Sequence, residues 1–457
     1  MVAAEYKKSI KDKKISVVGV GVSNIPLIRF LIDGGALVAA HDKRSADQLG
    51  EIYSELECLG VKFVLGEDYL KNIPKDTDII FKTPGIRPDV PELLNAVSQG
   101  AVLTSEMELF FELCPAKIIA VTGSDGKTTT TSLIGEMLKK EGYNCYIGGN
   151  IGNPLIGEVE KMTKDDMAIV ELSSFQLFSM KKSADIAVVT NVTPNHLDWH
   201  KDFSEYVESK KSIFSHNSNC KVILNFDNEI TRNFAKDAKD FIYFSRQNSL
   251  ERGMVLKNGK IELIDGASEK EFITADAIKI PGVHNIENYM AAIAAVYPFV
   301  SLETIEYVAK NFGGVPHRIE LVRTLDGVRF YNDSIASSPA RTTAGLKSFE
   351  KKVILIAGGY DKKIPFDEFG LVVNDRVKEL VLVGTTSEKI ETAVKNASNY
   401  SGLTIHRESD FEEAVNKARK CASDGDVVLL SPACASFDLF KNFEERGNTF
   451  KSIVNNF

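Results

Sequence analysis

The segment Val121-Thr122-Gly123-Ser124-Asp125-Gly126-Lys127-Thr128-Thr129-Thr130 contains the residue types that bind the phosphates of a nucleotide. Two glycines let backbone N–H groups turn toward an anion, Lys127 places a positive charge on the terminal phosphates, and the Thr128 hydroxyl can hold Mg²⁺. Val121 stands where the full Walker pattern has glycine, so the loop is a shorter Thr-Gly-x-x-Gly-Lys-Thr variant. A β-rich run precedes it and a helix-forming run follows. The pattern predicts a nucleoside triphosphate site, with an ordinary Gly-Lys-Thr turn as the alternative.

Two further groups of polar residues follow predicted strands in the same part of the chain. Glu171 comes directly after a buried run, with Ser173 beside it, at the position where phosphate-loop enzymes place a Mg²⁺-coordinating carboxylate. His196 and Asp198 follow the predicted strand 186–190 and reach the same edge of the sheet. The alternatives are a helix cap for Glu171 and a structural role for the histidine.

Near the N-terminus, residues 19–24 read Gly-Val-Gly-Val-Ser-Asn after a strand and resemble a dinucleotide fingerprint. Asn24 replaces the third glycine, which weakens a nicotinamide interpretation because helix and strand then pack less closely. Asp42 and Arg44 end the second strand, where an acid can take a ribose hydroxyl and an arginine a phosphate. A mononucleotide site and a merely structural turn both fit this segment.

Residues of the later chain suggest adenosine contacts. Asn285 and Asn288 share one face of a predicted helix and either read a base edge or cap the helix. Arg318 can reach phosphate and Asp333 ribose, although surface ion pairing explains either residue equally well. Residues 357–363 and 430–436 each place small residues at the carboxyl end of a predicted strand, followed by a lysine or a serine. Because both segments reach the same region, together they predict a pocket for a carboxylate.

Composition limits the function classes. The 457-residue chain is long enough for about two to four domains, and its net charge of −8 with a pI near 5.6 argues against broad binding to nucleic acid. Six scattered cysteines without a CxxC pair favour packing roles in a reducing compartment over disulfides or a zinc site. The charged N-terminus lacks a signal core, and no apolar run approaches the ~20 residues of a membrane span. We expect a cytoplasmic protein.

Strand, turn and helix signals alternate along the chain and predict an α/β fold whose sheets are mainly parallel. The predicted strands include 15–20, 36–41, 117–121, 167–172 and 353–357. Gly-Gly-Val-Pro at 313–316 predicts a linker, and a hairpin around Asp326-Gly327 follows it. We predict three domains: a Rossmann-like domain over 1–105, a central phosphate-loop domain over 106–314, and a Rossmann-like domain over 315–457.

Taken together, these motifs resemble the Mur ligases over nearly the whole chain. The matching segments, in family order, are 122–129, 148–152, 171–176, 191–198, 284–288, 316–318 and 431–436. The most specific are Ser-Pro-Ala-Cys-Ala-Ser-Phe-Asp at 431–438 and Lys-Asn-Phe-Glu-Glu-Arg-Gly at 441–447, which are similar to the D-glutamate-adding branch of the family.

The resemblance implies an ATP-dependent acid–amino-acid ligase of cytoplasmic peptidoglycan synthesis, and so a role in cell wall biogenesis, cell shape and cell division. ATP would phosphorylate the alanyl carboxylate of UDP-N-acetylmuramoyl-L-alanine, and the amine of D-glutamate would displace phosphate. The implied cofactors are ATP and two Mg²⁺ ions. We also expect domains that close around the substrates to exclude water, a monomer, and no insertion into a membrane.

The resemblance also assigns residues. The catalytic residues are Lys127, Glu171, His196 and Lys210; Thr128 and Glu171 would hold one Mg²⁺, and His196 and a carbamylated Lys210 the other. Counting four residues from Tyr206 selects Lys210 over Lys211, and without modification either lysine is most simply a solvated helix residue. ATP is assigned to Gly123, Ser124, Asp125, Gly126, Lys127, Thr128, Thr129, Asn285, Asn288, Arg318 and Asp333. The UDP substrate is assigned to Val22, Ser23, Asp42, Arg44, Thr83, Pro84, Gly85, Asn150 and Ser173, and D-glutamate to Ser337, Lys362, Ser436 and Phe443.

Three departures from the family pattern stand out, and one of them is Trp199 and His200 after Asp198, where relatives vary and to which we assign no role. Ile335 replaces a lysine common in relatives, which removes one cation near D-glutamate, and Asp125 replaces a common asparagine. Three other functions compete: a folylpolyglutamate synthetase, which would not need the first domain; a non-catalytic nucleotide sensor, which predicts loss of the metal ligands; and a dehydrogenase, which Asn24 disfavours.

Overall fold

The computed structural model describes residues 2–197, 199–280, 282–361 and 364–457. The chain divides into two compact units, Met1–Asn311 and Phe312–Phe457. The described residues form three sheets, which are parallel except at one edge of the second and one edge of the third. This confirms the predicted α/β class with mainly parallel sheets.

The first sheet has the order β3-β2-β1-β4-β5 and is entirely parallel. Its strands are β1 (Lys14–Val18), β2 (Leu37–Asp42), β3 (Lys62–Leu65), β4 (Ile79–Lys82) and β5 (Val102–Thr104). The helices around it are α1 (Ala3–Ser9), α2 (Asn24–Asp33), α3 (Ala46–Leu49), α4 (Glu51–Cys58) and α5 (Pro91–Ser98). The first strand ends at Val18, two residues before the predicted end, because Gly19 turns the backbone with φ +89°.

The second sheet has the order β14-β13-β12-β11-β10-β9-β6-β8-β7. Its strands are β6 (Lys117–Thr122), β7 (Cys145–Gly149), β8 (Met167–Glu171), β9 (Ile186–Val189), β10 (Lys221–Asn225), β11 (Asp240–Ser245), β12 (Arg252–Lys257), β13 (Lys260–Asp265) and β14 (Ser268–Thr274). The α-helices are α6 (Glu106–Leu113), α7 (Lys127–Glu141), α8 (Ser174–Leu177), α9 (Phe203–Ser215), α10 (Glu229–Asn233), α11 (Val283–Val296) and α12 (Leu302–Asn311), with 3₁₀ turns at Leu155–Lys161, Phe234–Lys236 and Ala275–Ala277.

The central strands of this sheet are buried on both faces, as parallel strands covered by helices must be. Every residue of β8 and β9 is buried. The short strands predicted over 240–280 are present, and Asn258-Gly259 forms the turn between β12 and β13. The three neighbouring strands β9, β6 and β8 therefore deliver their carboxyl ends to one edge of the sheet.

The second unit contains the sheet β15-β16-β20-β17-β18-β19. Its strands are β15 (Glu320–Leu325), β16 (Val328–Asn332), β17 (Val353–Ala357), β18 (Val377–Leu382), β19 (Thr404–Arg407) and β20 (Val427–Leu430). Its helices are α13 (Pro339–Leu346), α14 (Asp367–Arg376), α15 (Ser387–Asn396), α16 (Phe411–Cys421) and α17 (Phe443–Asn455). The predicted hairpin at Asp326-Gly327 joins β15 to β16.

Alternate residues of β17 enter two different cores on the two faces of the third sheet. No helix of the described residues is long and apolar enough to cross a membrane.

Candidate active site

The predicted phosphate loop lies between β6 and α7, in a conformation that only glycine adopts easily. Gly123 has φ +150° and Gly126 has φ +79°. A Cβ atom on Gly123 would lie 1.9 Å from Thr190 Oγ1, and one on Gly126 would lie 2.4 Å from Asn288 Oδ1. Both glycines are therefore required by the backbone conformation and by the close approach of neighbouring side chains.

Residues that follow β9 hold the loop in place. Thr190 Oγ1 donates to the Asp125 carbonyl oxygen at 2.5 Å, and Asn191 Oδ1 accepts from the Asp125 N–H at 2.9 Å. Ser124 Oγ accepts from the Thr193 N–H at 2.9 Å and lies 2.8 Å from the hydroxyl of Tyr206. The neighbouring strand and α9 thus fix the conformation of the loop.

Two lysine amines converge on one carbonyl oxygen of the loop. Lys127 Nζ donates to the carbonyl oxygens of Gly123 and Ser124, each at 2.9 Å. Lys210 Nζ reaches the same Gly123 oxygen at 2.9 Å. Burial, followed by the nearby charge of Lys127, lowers the pKa of the Lys210 amine well below its ordinary value. Burial thus opposes the charged form of the Lys210 amine.

The structure separates Lys210 from its neighbour. The Lys210 residue is 1% exposed, so the expectation of a solvated residue is wrong for it. The Lys211 amine forms ion pairs with Glu208 and Asp237, both at 2.9 Å, and its side chain is 24% exposed. Because successive helix positions point in different directions, only Lys210 of the two reaches the phosphate loop.

Glu171 ends β8 beside this loop and is 1% exposed. Its Oε1 accepts from Asn150 Nδ2 at 2.8 Å, whereas its Oε2 is buried without a hydrogen-bond partner among the described residues. The helix-cap alternative is wrong, because Ser173 caps α8 in a capping box with Gln176. A buried, unsatisfied carboxylate oxygen suits a cation ligand.

The first turn of α7 presents the buried Thr128 and the half-buried Thr129. His196 follows β9 in a left-handed conformation with φ +55°. Its ring lies 4.8 Å from that of Phe175 and 6.4 Å from that of Tyr206, measured between centroids. Asp198 lies outside the described residues. Thr128 lies at the start of α7, Glu171 at the end of β8, and His196 after β9. Their hydroxyl, carboxylate and imidazole groups therefore belong to elements that meet at one edge of the second sheet.

Asn285 and Asn288 are not helix caps. Helix α11 begins at Val283, its N-cap is Gly282, and the cap has no side-chain hydrogen bond. Asn288 Nδ2 donates to Asn285 Oδ1 at 3.0 Å, and Asn288 Oδ1 accepts from Thr130 Oγ1 at 3.3 Å. The pair therefore braces the start of α7.

The turn after β1 is closed by an internal ion pair. Asp42 accepts from the Val20 N–H at 2.7 Å and from Arg44 Nε at 2.9 Å. Burial opposes ionisation, but hydrogen bonds from Arg44 and Val20 outweigh it and lower the pKa of the Asp42 carboxyl. Asn24 Nδ2 donates to the Gly19 carbonyl oxygen at 2.7 Å, which gives a structural reason for the missing third glycine.

The remaining residues predicted to bind the UDP substrate lie near this turn or near Glu171. Val22 is exposed, Ser23 is half-buried, and Thr83 and Pro84 are half-buried beside the exposed Gly85. Asn150 is exposed and Ser173 is half-buried, at the end of β8.

Sequence reasoning missed a contact between the turn after β4 and the segment after His196. Trp199 Nε1 donates to the Gly85 carbonyl oxygen at 3.0 Å, and Arg87 Nη1 donates to the Trp199 carbonyl oxygen at 3.0 Å. The Arg87 guanidinium also pairs with Glu205 at 2.7 Å and lies over the rings of Trp199 and Phe178, 4.9 Å from each centroid. The one signal in the sequence is that Trp199 is the only tryptophan.

In the second unit, Asp333 follows β16 and is 4% exposed, so surface ion pairing is wrong for this residue. It accepts from Ser431 Oγ at 2.7 Å, and burial raises the pKa of its carboxyl to about 7. Arg318 is half-buried, and its positive charge opposes this rise in the pKa of Asp333. Asp333 is therefore a buried carboxyl, and the alternative of surface ion pairing does not apply to it.

A buried arginine organises the segments predicted to bind D-glutamate. Arg446 is 2% exposed and donates to Ser334 Oγ at 3.0 Å and to the carbonyl oxygens of Cys434 and Ala435 at 3.2 and 3.1 Å. Ser334 Oγ in turn donates to the Phe443 carbonyl oxygen at 2.8 Å. Sequence reasoning did not assign Arg446 a role, although it lies in a quoted motif.

The residues predicted for D-glutamate differ in exposure. Ser436 is buried, Ser337 and Phe443 are half-buried, and Lys362 lies outside the described residues. Ile335, where relatives carry lysine, donates its N–H to the His317 carbonyl oxygen at 3.1 Å.

Two domains of a known family match this chain. The Mur ligase middle domain matches residues 121–296, and the Mur ligase glutamate ligase domain matches residues 317–434. The UDP-N-acetylmuramoylalanine–D-glutamate ligase of Acetivibrio thermocellus is 55% identical over 457 residues, covering 99% of this chain and 98% of the relative. That of Ruminiclostridium cellulolyticum is 52% identical over 459 residues, with the same coverage.

A solved structure supports the fold at low sequence identity. The UDP-N-acetylmuramate-alanine ligase MurC of Thermotoga maritima is 19% identical, with a TM-score of 0.56, and the alignment covers 97% of this chain and 99% of that one. Since relatives more than half identical align over almost the entire length, the chain belongs to the Mur ligase family.

Proposed function

We propose that this chain is an ATP-dependent ligase that adds D-glutamate to UDP-N-acetylmuramoyl-L-alanine in cytoplasmic peptidoglycan precursor synthesis. The reaction class is supported by the groups that lie at one edge of the second sheet, around the phosphate loop. They are the amines of Lys127 and Lys210, the Thr128 hydroxyl and the unsatisfied Oε2 of Glu171. The substrate pair is supported by the names of relatives that are 52% and 55% identical over nearly the full chain.

The first step makes a carboxylate reactive. An oxygen of the alanyl carboxylate bonds to the γ-phosphorus of ATP, the bond to the bridging oxygen breaks, and ADP leaves with the electron pair. Charge accumulates on the transferring group, and Lys127 is placed to offset it at the phosphate loop. The products of this step are an acyl phosphate and ADP.

The second step forms the amide. The neutral amine of D-glutamate bonds to the acyl carbon, a tetrahedral intermediate forms, phosphate leaves, and the nitrogen loses a proton. The pocket proposed for D-glutamate comprises Ser337, Lys362, Ser436 and Phe443. Arg446 would hold the segments that carry Ser436 and Phe443 in register.

Divalent cations fit the donor set beside the loop. Thr128 and Glu171 would hold one Mg²⁺ and His196 and carbamylated Lys210 a second, where the ions would offset phosphoryl charge. Carbamylation requires a neutral amine, which adds to the carbon of CO₂ and loses one proton. Burial, which lowers the pKa of Lys210, favours this form of the amine.

The other assigned contacts belong to the same proposal. ATP would contact residues 123–129, Asn285, Asn288, Arg318 and Asp333, and the UDP moiety would contact Val22, Ser23, Asp42, Arg44 and the turn 83–85. We further propose that the chain divides into three domains after residues 105 and 314. The protein would be a monomer and would act in the cytoplasm.

Substrate choice tests the reaction. With UDP-N-acetylmuramoyl-L-alanine and ATP, we expect ADP release with D-glutamate and little with L-glutamate, lysine or diaminopimelate. A strong preference for another amino acid would overturn the assignment within the family. Failure to release ADP with any of these amino acids would favour a non-catalytic nucleotide sensor.

Carbamylation has its own test in the paired variants Lys210→Ala and Lys211→Ala. We expect Lys210→Ala to lower ADP release by about 100-fold or more and Lys211→Ala to change it little. With ¹³C-labelled CO₂, the unaltered protein and Lys211→Ala should give a carbamate NMR signal that Lys210→Ala lacks. An unchanged signal in Lys210→Ala would refute modification at this residue.

A further inference from the structure

Glu379, His406 and Cys421 form a cluster of metal-ligating groups in the second unit, on elements that the proposed ligase reaction does not use. Their ligand atoms all lie within 4.8 Å of one another. Among the described residues, this is the one such group of three or more His, Cys, Asp and Glu side chains. From this cluster we propose a site for one Zn²⁺-like divalent cation, bound by the Glu379 carboxylate, the His406 imidazole and the Cys421 thiolate.

The sheet register brings the three side chains to one face. Glu379 on β18 pairs with Thr404, and Val381 pairs with His406 on the edge strand β19. Glu379 and Val381 are two residues apart, so the Glu379 and His406 side chains project from the same face. Val381 packs in the core that α16 covers, and Cys421 is the last residue of α16. Three separate elements thus each contribute one ligand.

The distances approach those of a coordination shell. His406 Nε2 lies 2.9 Å from Glu379 Oε2 and 3.6 Å from Cys421 Sγ, and the Cys421 thiol also hydrogen-bonds Glu379. A tetrahedral zinc ion with ordinary bond lengths separates an imidazole nitrogen from an oxygen by about 3.3 Å and from a sulfur by about 3.5 Å. The His406–Glu379 separation must open by only about 0.4 Å to admit the ion.

The surrounding charges leave the cluster available for a cation. The nearest lysines have other partners: Lys378 pairs with Asp426 at 2.6 Å, and Lys417 with Glu408 at 3.8 Å. With Glu379 ionised, loss of the thiol proton would give the ligand set two negative charges, which one divalent cation neutralises. The set therefore balances charge without a further residue.

Ligand chemistry selects the class of metal. Thiolate and imidazole favour Zn²⁺ over Mg²⁺ and Ca²⁺, which prefer oxygen ligands. Three protein ligands leave a fourth position for water. The side chains of Glu379 and His406 are 23% and 24% exposed, so the ion can enter from solvent. Bound there, it would link β18, the edge strand β19 and the end of α16.

The sequence favours packing roles for the cysteines, and this proposal assigns Cys421 a ligand role instead. Glu379 and His406 are separated by 27 residues and His406 and Cys421 by 15, so no short motif marks the site. Strand pairing creates it.

The test uses the full chain with Co²⁺ and Zn²⁺ alone as probes. Co²⁺ bound to a thiolate gives charge-transfer absorption in the near ultraviolet, and we expect one equivalent in the unaltered protein that Zn²⁺ displaces. Cys421→Ser should lose this absorption and bind Zn²⁺ at least about 100-fold more weakly, because even an outer partner of a metal ligand changes affinity by tenfold or more. Cys145→Ser, which alters another half-buried free cysteine, should keep both properties.

Two further measurements distinguish loss of the site from misfolding. Zn²⁺ should slow alkylation of Cys421 by iodoacetamide, followed by mass spectrometry of its peptide, but not alkylation of Cys58. Glu379→Gln keeps the thiol and should weaken that protection, with circular dichroism unchanged. Absence of thiolate–Co²⁺ absorption in the unaltered protein, or its persistence in Cys421→Ser, would overturn the proposal.

Discussion

The turns 19–24 and 123–129 both join a buried parallel strand to a helix through glycines. They differ in the charged side chains that contact the backbone of the turn. In the first turn, the Asp42 carboxylate accepts the Val20 N–H and pairs with Arg44, so charge is balanced locally. In the second turn, the amines of Lys127 and Lys210 both approach the Gly123 carbonyl oxygen. The same backbone plan therefore carries a loop closed by an ion pair in one place and a loop approached by two lysine amines in the other.

This difference matches the ligands proposed for each turn. A triphosphate that is losing a phosphoryl group needs several positive charges close to it, whereas a sugar nucleotide that is only held needs orientation. The steric demands differ as well. A Cβ on Gly123 would lie 1.9 Å from Thr190 Oγ1, but one on Gly21 meets no atom within 4 Å.

The pair Gly123→Ala and Gly21→Ala gives the largest expected contrast. Gly123→Ala adds a clash with Thr190 to an unfavourable φ of +150°, and we expect it to lower the free energy of unfolding by about 3 kcal/mol or more and to abolish ADP release. Gly21→Ala should change stability by no more than about 0.5 kcal/mol. Chemical denaturation measures both, and equal effects would contradict the contrast between the turns.

Glu171→Gln tests whether charge or shape matters at the second turn. The amide keeps an oxygen for Asn150 but removes the negative charge of the unsatisfied Oε2, so we expect ADP release to fall about 100-fold and the Mg²⁺ requirement to rise. Glu262→Gln is the matched control, because Glu262 Oε2 is also buried and unsatisfied but lies on β13. Similar losses in both variants would indicate that general destabilisation is the cause.

The features that sequence predicted best are local ones. Strand-to-helix alternation, the glycines of the loop and the hairpin at Asp326-Gly327 depend on neighbouring residues, and the structure contains them. The sequence distinguished Lys210 from Lys211 only through the spacing known from the family. The burial of Lys210 depends on the packing of α9 against β6, which no local pattern predicts.

The features that sequence missed are contacts between distant segments. Trp199 bonds to Gly85 across 114 residues, and Asn288 bonds to Thr130 across 158. Arg446 reaches Ser334 across 112 residues. No local pattern encodes such pairs, because they follow from which strands become neighbours and in what register.

Asp42→Asn tests the local neutralisation of the first turn through pH. Because the folded-state pKa of Asp42 is lowered, its contribution to stability is present above the unfolded pKa near 3.8 and is lost as pH falls through the folded value. At pH 7 we expect the variant to be about 2 kcal/mol less stable, since charge-assisted hydrogen bonds are lost. The difference should shrink below pH 3.8, as followed by urea denaturation. The exposed Asp33→Asn should show little change at either pH, and a constant difference for Asp42→Asn would contradict this account.

Trp199→Phe probes the contact between the turn 83–85 and the segment after His196, and it should have the smallest effect. Phenylalanine keeps a ring beneath Arg87 but loses the hydrogen bond to the Gly85 carbonyl oxygen, worth about 1 kcal/mol. If the indole positions the turn 83–85 for the sugar nucleotide, the KM for UDP-N-acetylmuramoyl-L-alanine should rise about two- to tenfold while the KM for ATP stays constant. A rise in the KM for ATP instead would mean that Trp199 supports the His196 segment, three residues away. Unchanged KM values for both substrates would show that the Trp199–Gly85 contact does not position either substrate. Arg87→Lys breaks the paired hydrogen bonds to Glu205 but leaves the indole in place. In that case this variant, too, should leave both KM values unchanged.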